Sequence, residues 1–235
     1  MDKLIPFADS ITVSNTFLQK KFGGVLVPHF RDTDAFDPAK FDRDAIRERL
    51  DVADKKVVMF MGTIRAHKGI DTLVRAFDEL GRDDVVLMLV GVSDEAKHAL
   101  PRRPYLRVFG FQPFEKVPEF LEAADMVALM QKSGTSSAQG QLPAKLFDAM
   151  SMAKPILATR VSDIPAILDG CGVVLNDTPS DLAAAIRSVL DNPEAAAAMG
   201  AAARRRCVEE YSYRAMRPRL SAVFADLAGD SAPSR

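Results

Sequence analysis

The sequence has few of the residues that cross-link small secreted domains or hold metal ions. Its 235 residues include two cysteines, Cys171 and Cys207, and three histidines. Because the cysteines are too few for a disulfide framework and do not form a C-x-x-C pair, we expect structural thiols in a reducing compartment. The histidines are scattered, and no acidic pair follows a predicted strand, so no metal site is predicted.

Long apolar runs and an excess of one charge are absent as well. No run approaches the roughly 20 residues that a membrane span requires, and the amino-terminal segment lacks the cationic and apolar regions of a signal peptide. The 31 lysines and arginines balance 32 aspartates and glutamates, which argues against a polyanion-binding surface. We therefore expect a cytoplasmic protein without a nucleic-acid partner.

What the sequence does contain is a series of short apolar runs that alternate with segments of helical periodicity. Runs without polar alternation are typical of strands that are covered on both faces. Strand–helix alternation with short connections predicts an α/β fold with a Rossmann-like, doubly wound parallel sheet. The six runs are residues 56–62, 84–91, 105–111, 126–131, 155–160 and 172–175.

The pattern changes on either side of these runs, which suggests a division of the chain. Residues 1–55 contain an incomplete set of elements and a polar linker, residues 56–178 the Rossmann-like domain, residues 179–228 helices, and residues 229–235 a disordered tail. Two of the terminal helices are predicted to begin with a proline, with Thr178 and Asn192 as their candidate N-caps. The three arginines at 204–206 are interpreted as a solvated helix face.

A cationic loop, GTIRAHKG at residues 62–69, follows the first of the six runs. Ligands of open parallel sheets bind beyond the carboxyl ends of the strands, and a helix N-terminus there favours an anion. Arg65 and Lys68 would add charge-assisted hydrogen bonds to it. The loop matches neither the Walker nor the dinucleotide-binding pattern. The alternative that both are ordinary solvated charges remains open.

A second polar loop, at residues 131–142, leads into a predicted helix that begins near Pro143. Lys145 lies in its first turn, where a cation opposes the helix dipole and needs a negative partner. Asp148 follows on the same face. The cations of the two loops fit a diphosphate, and one carboxylate fits the vicinal hydroxyls of a ribose or a sugar. An ion pair between Asp148 and Lys145 is the alternative.

A third loop, FGFQPFEKV at residues 109–117, overlaps the end of the third run and carries three phenylalanines, Phe109, Phe111 and Phe114. Aromatic rings at this end of the sheet could flank a flat nucleotide base, or they could belong to the core.

These segments, in this order, resemble the C-terminal, donor-binding domain of the group 1 GT-B retaining glycosyltransferases. Such enzymes move a sugar from a nucleotide diphosphate sugar to an acceptor, often in the synthesis of cell-envelope polysaccharides or glycolipids. The resemblance covers about residues 10–226. It is carried by FMGTIRAHKGIDTLVRAF, VFGFQPFEKVPEFLEAADMVAL and QLPAKLFDAMSMAKPILATRVSDIPAIL, followed by GCGVVL.

The resemblance implies roles for individual residues. Arg65 and Lys68 would be the catalytic cations at the diphosphate, and Asp148 would bind the ribose. The remaining donor-binding candidates are Gly62, Thr63, Phe111, Gln141, Leu142 and Lys145.

Two positions depart from the family's pattern. Thr63 stands directly after the glycine, where many members have the arginine, and Gly140 stands where a glutamate often contacts the donor sugar. That contact would be absent or would pass to Gln139 or Gln141.

The resemblance also implies partners. The substrate would be a nucleotide sugar such as a UDP- or GDP-sugar, and no cofactor or metal is expected. The family's first, acceptor-binding domain is almost wholly missing from this sequence. The expected partner is therefore an acceptor-domain protein or a second copy of the chain, with peripheral membrane association through the missing half. Three interpretations stay open: a truncated product, one half of a split enzyme, or a nucleotide-sugar binding module without catalysis.

Overall fold

A six-stranded parallel sheet is the centre of the fold. The computed structural model describes Ile5, residues 7–133 and residues 136–230. A separate pair of short strands precedes the sheet. The strands are β1 (Thr12–Val13), β2 (Val25–Leu26), β3 (Lys56–Met61), β4 (Val85–Val90), β5 (Leu106–Phe109), β6 (Met126–Leu129), β7 (Ile156–Thr159) and β8 (Val173–Leu175).

Helices follow most strands and end the chain. They are α1 (Thr16–Phe22), α2 (Arg43–Arg49), α3 (Ile70–Leu80), α4 (Asp94–Ala99), α5 (Val117–Ala123), α6 (Ser136–Gln139), α7 (Lys145–Ser151), α8 (Ile164–Ile167), α9 (Pro179–Asp191), α10 (Pro193–Glu210) and α11 (Tyr213–Asp230). The last helix extends two residues into the segment predicted as a tail, of which residues 231–235 lie outside the described part.

The order of the strands confirms the predicted doubly wound sheet. The sheet runs β5-β4-β3-β6-β7-β8, and all of its pairs are parallel. The chain reverses its direction of winding between β3 and β6, so a crevice opens beyond their carboxyl ends. All six predicted apolar runs are strands of this sheet.

Two apolar layers cover the sheet and explain why the runs lack polar residues. Along β3, Val57 and Met59 face a layer that includes α5, α7 and α10, whereas Val58 and Phe60 face α3 and α9. Every residue of β4 is buried. Because successive side chains of a strand point to opposite faces, a strand between two layers must be apolar throughout.

The segment before the sheet is attached to it by a charged network. β1 and β2 form a parallel pair of their own. Downstream, Arg43 and Arg47 of α2 form ion pairs with Asp125, at 2.9 and 3.3 Å, and Asp125 also accepts a hydrogen bond of 2.7 Å from the Val57 amide. These contacts hold the linker against the amino end of β3. The division of the chain at residue 55 stays a prediction.

The terminal helices correct two details of the sequence interpretation. Thr178 caps α9 by accepting a hydrogen bond from the Asp181 amide, as predicted, but the Asn192 side chain forms no such cap. The solvated face predicted for 204–206 is wrong at two positions. Arg204 donates to the Phe36 carbonyl (2.8 Å) and Arg206 to that of Ile167 (2.8 Å), so Arg205 is the one exposed arginine of the three.

The two cysteines are free and buried, which agrees with their predicted structural role. No helix in the described part of the chain has the length and apolar character to cross a membrane.

Candidate functional site

A cavity of about 410 Å³ opens at the carboxyl ends of β3 and β6, where the winding reverses. The last residues of these two strands form its floor. One wall is the segment from Gly140 to Lys145, and Lys68 approaches from the loop after β3. Ser14 and His29 reach it from the amino-terminal segment. Three parts of the chain that are distant in sequence therefore meet at the place where the fold class predicts a ligand.

Gly62 directly follows β3, has a φ of 138° and lies against the side chain of Lys145. A Cβ atom at position 62 would overlap the Lys145 ammonium group. The glycine thus allows a lysine from α7 to reach across to the cationic loop. No carboxylate among the described residues forms an ion pair with Lys145.

Lys68 is the residue of the cationic loop that lines the cavity. It belongs to a short 3-10 turn, Ala66–Lys68, and its ammonium donates a hydrogen bond of 3.0 Å to Gln141 Oε1. The same oxygen accepts a bond of 3.1 Å from Gln131, whose own Oε1 is buried and has no donor in the described structure. A ligand hydroxyl could supply that donor.

The surroundings of Lys68 and Lys145 destabilise the charged form of both side chains. Burial lowers the pKa of Lys68, and the nearby charges of Lys145 and Arg65 lower it further. Burial also lowers the pKa of Lys145, although Asp148 opposes that shift. An anion in the cavity would stabilise both ammonium groups, because each lacks a sufficient negative neighbour.

Asp148 lies behind the cavity wall and forms an ion pair with Arg31 rather than with Lys145. Its residue exposure is only 4%. Burial raises the pKa of its carboxyl group, whereas the hydrogen bond and charge of Arg31, and then Lys145 and His29, lower it. The alternative of an intrahelical pair with Lys145 is therefore wrong.

Besides Arg31, the segment after β2 brings His29 to the site. Its ring meets that of Phe147 edge to face at 6.4 Å. Burial and the charge of Arg31 lower its pKa, while a hydrogen bond with the backbone of Leu142 and the charge of Asp148 raise it. It lines the cavity together with Lys68, Gln141 and Lys145.

The two glutamine candidates are placed differently. Gln139 accepts a hydrogen bond of 3.1 Å from the Ser162 amide, and its carbonyl accepts one of 3.2 Å from Asn15. Gln139 is therefore engaged away from the cavity, whereas Gln141 and the backbone of Gly140 line it.

The other predicted residues fall into two groups. Leu142 is buried and lines the cavity. Thr63 and Arg65 are exposed in the loop after β3, and Phe111, with 66% exposure, lies in the loop after β5. Their proposed contacts with a ligand remain predictions.

Two further phenylalanines contact other aromatic rings. Phe109, the last residue of β5, meets Phe120 at 5.2 Å and packs against the core, as the core interpretation predicts. Phe114 meets Phe36 at 5.4 Å but is 55% exposed, so its role beside a base stays a prediction.

Three residues of the site were not found from the sequence: His29, Arg31 and Gln131. His29 lies in a segment interpreted as a strand and Arg31 in the polar linker that follows it, and no local pattern connects them with α7. The one sequence feature that could have pointed to a missing cation is Asp148. Its apolar neighbours in the predicted helix imply a buried carboxylate, and a buried carboxylate needs a cation. In the described part of the chain, no group of three or more histidines, cysteines and acidic residues could hold a metal ion.

Comparison with known proteins places this arrangement in a family. The family model described as "Glycosyl transferases group 1" matches residues 55–192. A GDP-mannose-dependent alpha-(1-6)-phosphatidylinositol monomannoside mannosyltransferase of Mycolicibacterium smegmatis is 28% identical over 93% of this chain. The chain spans 62% of that relative's length.

Solved structures agree at the level of the fold. Anabaena HepE, crystallised with UDP and glucose, superposes with a TM-score of 0.82 at 18% identity, over 94% of this chain and 64% of the other. The C-terminal domain of LpcC, a group 1 family protein from Francisella tularensis, superposes with a TM-score of 0.63 at 17% identity, over 78% of this chain and 99% of that domain. The sheet is thus the Rossmann-like sheet of the GT-B fold, and the chain belongs to the group 1 glycosyltransferase family.

Proposed function

We propose that this chain is the donor-binding half of a retaining glycosyltransferase that uses a nucleoside-diphosphate sugar and no resident cofactor. The observation that carries the proposal is the pair of half-buried lysines, Lys68 and Lys145, whose side chains line one cavity at the winding reversal. Two cations without an adequate counter-ion match the two charged groups of a diphosphate.

In this proposal, each part of such a ligand has its own binding residues. Lys68 and Lys145 bind the diphosphate and stabilise the negative charge that develops on it as the sugar leaves. Arg65 joins them from the loop after β3 when the ligand is present. Gln141 and the unpaired Gln131 oxygen contact hydroxyls of the sugar. Asp148 binds the ribose, and Phe111 covers the base.

Several findings support the donor-binding role. The chain aligns with nearly all of the isolated C-terminal domain of LpcC, a group 1 protein. Its fold is similar to that of Anabaena HepE, which was crystallised with UDP and glucose. Transfer requires an acceptor held against the donor with water excluded. We therefore propose that an acceptor-binding domain, from another protein or a second copy, completes the enzyme in the cytoplasm. That half would also provide any contact with a membrane.

The proposal is tested by calorimetric titration of GDP, UDP, ADP, the corresponding nucleosides and inorganic pyrophosphate. Lys68→Ala and Lys145→Ala should each lower the affinity for the nucleoside diphosphates and for pyrophosphate by about 10- to 100-fold, because each removes a charge-assisted contact. The affinity for the nucleosides should be unchanged. Lys56→Ala is the control, since Lys56 lies at the opposite end of β3.

Two results would contradict the proposal. One is the absence of binding by every diphosphate at millimolar concentration. The other is an equal loss of affinity for nucleoside and nucleoside diphosphate in the two lysine variants. Transfer assays with and without an acceptor-domain partner would then separate an enzyme half from a non-catalytic binding module.

A further inference from the structure

Arg31 is fixed at both its backbone and its side chain. Its amide donates a hydrogen bond of 2.8 Å to the Tyr211 carbonyl, and its own carbonyl accepts one of 3.0 Å from the Tyr213 amide. The guanidinium donates to the carbonyls of Phe30 (2.8 Å) and Ala144 (3.2 Å) and, through Nε, to Asp148 Oδ1. Every nitrogen of the guanidinium therefore has an acceptor.

The two oxygens of Asp148 differ as a result. Oδ1 is held by Arg31. Oδ2 accepts no hydrogen bond from the described residues, and the Asp148 side chain as a whole is 6% exposed. One oxygen thus sets the direction of the carboxylate, and the other is left for a ligand.

Two roles fit an arginine in this place. It could block the carboxylate until a ligand displaces it, or it could orient the carboxylate for the ligand. Displacement would break the three hydrogen bonds of the guanidinium at once, while the two backbone bonds hold the residue against the junction of α10 and α11. A blocking side chain would also be expected at the surface, whereas the Arg31 side chain is 16% exposed. The contacts favour orientation.

We propose that Arg31 is a positioning residue that holds the Asp148 carboxylate ionised and aimed at the ribose hydroxyls of the donor. This inference rests on the proposed function, because it concerns the same nucleotide. It extends that function to a residue of the linker, 117 positions away from Asp148 in the sequence.

Arg31 matters for the charge of Asp148 as well as for its direction. Burial raises the pKa of this carboxyl group and Arg31 is the largest opposing influence. The other groups that face it are Lys145 of α7, His29 of the segment after β2, and Cys207 of α10, whose thiol is neutral because burial raises its pKa to about 12. Without Arg31, the carboxyl group would remain protonated to higher pH and would accept fewer hydrogen bonds.

The test compares ligands that differ only in the ribose hydroxyls. GDP is titrated against 2′,3′-dideoxy-GDP, and UDP against 2′,3′-dideoxy-UDP, between pH 5.5 and 9. The ratio of the two dissociation constants cancels the protonation of the diphosphate and isolates the contribution of the diol. Wild type should prefer the diol by about tenfold or more, as expected for hydrogen bonds to a charged group.

Arg31→Met should remove most of the preference for the diol at pH 7. The variant should recover part of this preference at higher pH, because Asp148 then ionises as the pH rises through its raised pKa. Arg31→Met combined with Asp148→Asn should show no such recovery, because no carboxyl group remains to ionise. Arg31→Lys should restore part of the preference, since lysine supplies the charge but not the three-way contact. Arg49→Met, which removes an exposed arginine of α2, should behave as wild type.

The outcomes separate the inference from the proposed function. Retained pyrophosphate affinity shows that the Arg31→Met variant is folded. If that variant loses as much affinity for the dideoxy nucleotide as for the natural one, and the loss does not depend on pH, Arg31 only supports the linker and the inference is wrong. If the Arg31→Met variant instead binds nucleotides more tightly than wild type, Arg31 blocks the Asp148 carboxylate and the inference is wrong. If wild type binds the nucleotides without preferring the diol, the inference and the ribose role of Asp148 fail, while the diphosphate site stands; if it binds none of them, the whole proposed function fails.

Discussion

At the scale of single residues, the backbone of Gly62 decides whether the two cationic elements can meet. Its φ of 138° lies outside the range that other residues adopt readily, and its missing side chain leaves the space that Lys145 occupies. The sequence identified the loop and the lysine separately. Their contact depends on the position of α7 relative to β3, which no local pattern contains.

Gly62→Ala should therefore weaken pyrophosphate and nucleoside diphosphate binding by about tenfold or more, on the order of a lost charge-assisted contact. It should also lower the free energy of unfolding by about 1–3 kcal/mol through backbone strain. Gly81→Ala is the matched control, because Gly81 also has positive φ (59°), but no atom lies within 4 Å of the place that its Cβ would take. An affinity loss of the same size in both variants, measured by calorimetry, would contradict this role for Gly62.

Residue-level prediction succeeded where the signal was local. Lys145 and Asp148 were both placed on α7, and Lys68 does line the cavity. Arg31 was missed because its partner is 117 residues away and because an arginine in a polar linker is usually solvated.

At the scale of elements, α10 shows how closely the terminal helices approach the domain. A Cβ atom at Gly200 would overlap the carbonyl oxygen of Ala153, just after α7, and would approach the Pro155 ring at 3.4 Å. The contact brings α10 against the helix that carries Lys145 and Asp148. Glycine is required there for packing and not for a special backbone angle.

Gly200→Ala should lower the free energy of unfolding by about 1–3 kcal/mol, the usual cost of overpacking, even though alanine favours helix formation. Gly229→Ala is the control in α11, because nothing lies within 4 Å of its Cβ position. That variant should be unchanged or more stable by up to about 1 kcal/mol. Urea unfolding measures both, and an equal effect in the two variants would argue against close packing at Gly200.

The elements themselves were the most predictable part of the molecule. All six apolar runs are strands, since burial on both faces leaves a continuous apolar signal. Helix starts were less certain. Thr178 and Asn192 precede the same Pro pattern, but only Thr178 forms the side-chain cap. The Asn192 side chain donates instead to the Ser188 carbonyl at 2.7 Å, which closes the end of α9.

At the scale of the whole molecule, one carboxylate joins the linker to the sheet. Asp125 receives ion pairs from Arg43 and Arg47 and a hydrogen bond from the Val57 amide. Arg47 is 8% exposed, and its remaining donors bind carbonyl groups. The cation would be left without a buried counter-ion if Asp125 were removed.

Asp125→Ala should lower the free energy of unfolding by about 1–3 kcal/mol, because it takes an acceptor from the partly buried Arg43 and Arg47 guanidinium groups and from the Val57 amide. Asp54→Ala removes an exposed linker carboxylate that pairs with Lys55 and should change stability by less than about 1 kcal/mol. Urea unfolding at pH 7 measures the difference. Equal stability of the two variants would show that the network does not attach the linker to the sheet.

The sequence by itself determined the class of the fold, the positions of its strands, and the two polar loops that face the ligand crevice. It could do so because these features are local: apolar periodicity, turn residues and charge within a few positions. Only the tertiary structure decided that Arg31 holds Asp148, that Gln141 and not Gln139 faces the cavity, and that Lys145 lies against Gly62. Such contacts depend on how separate elements pack, and that packing is set by the sum of many side-chain contacts across the whole chain.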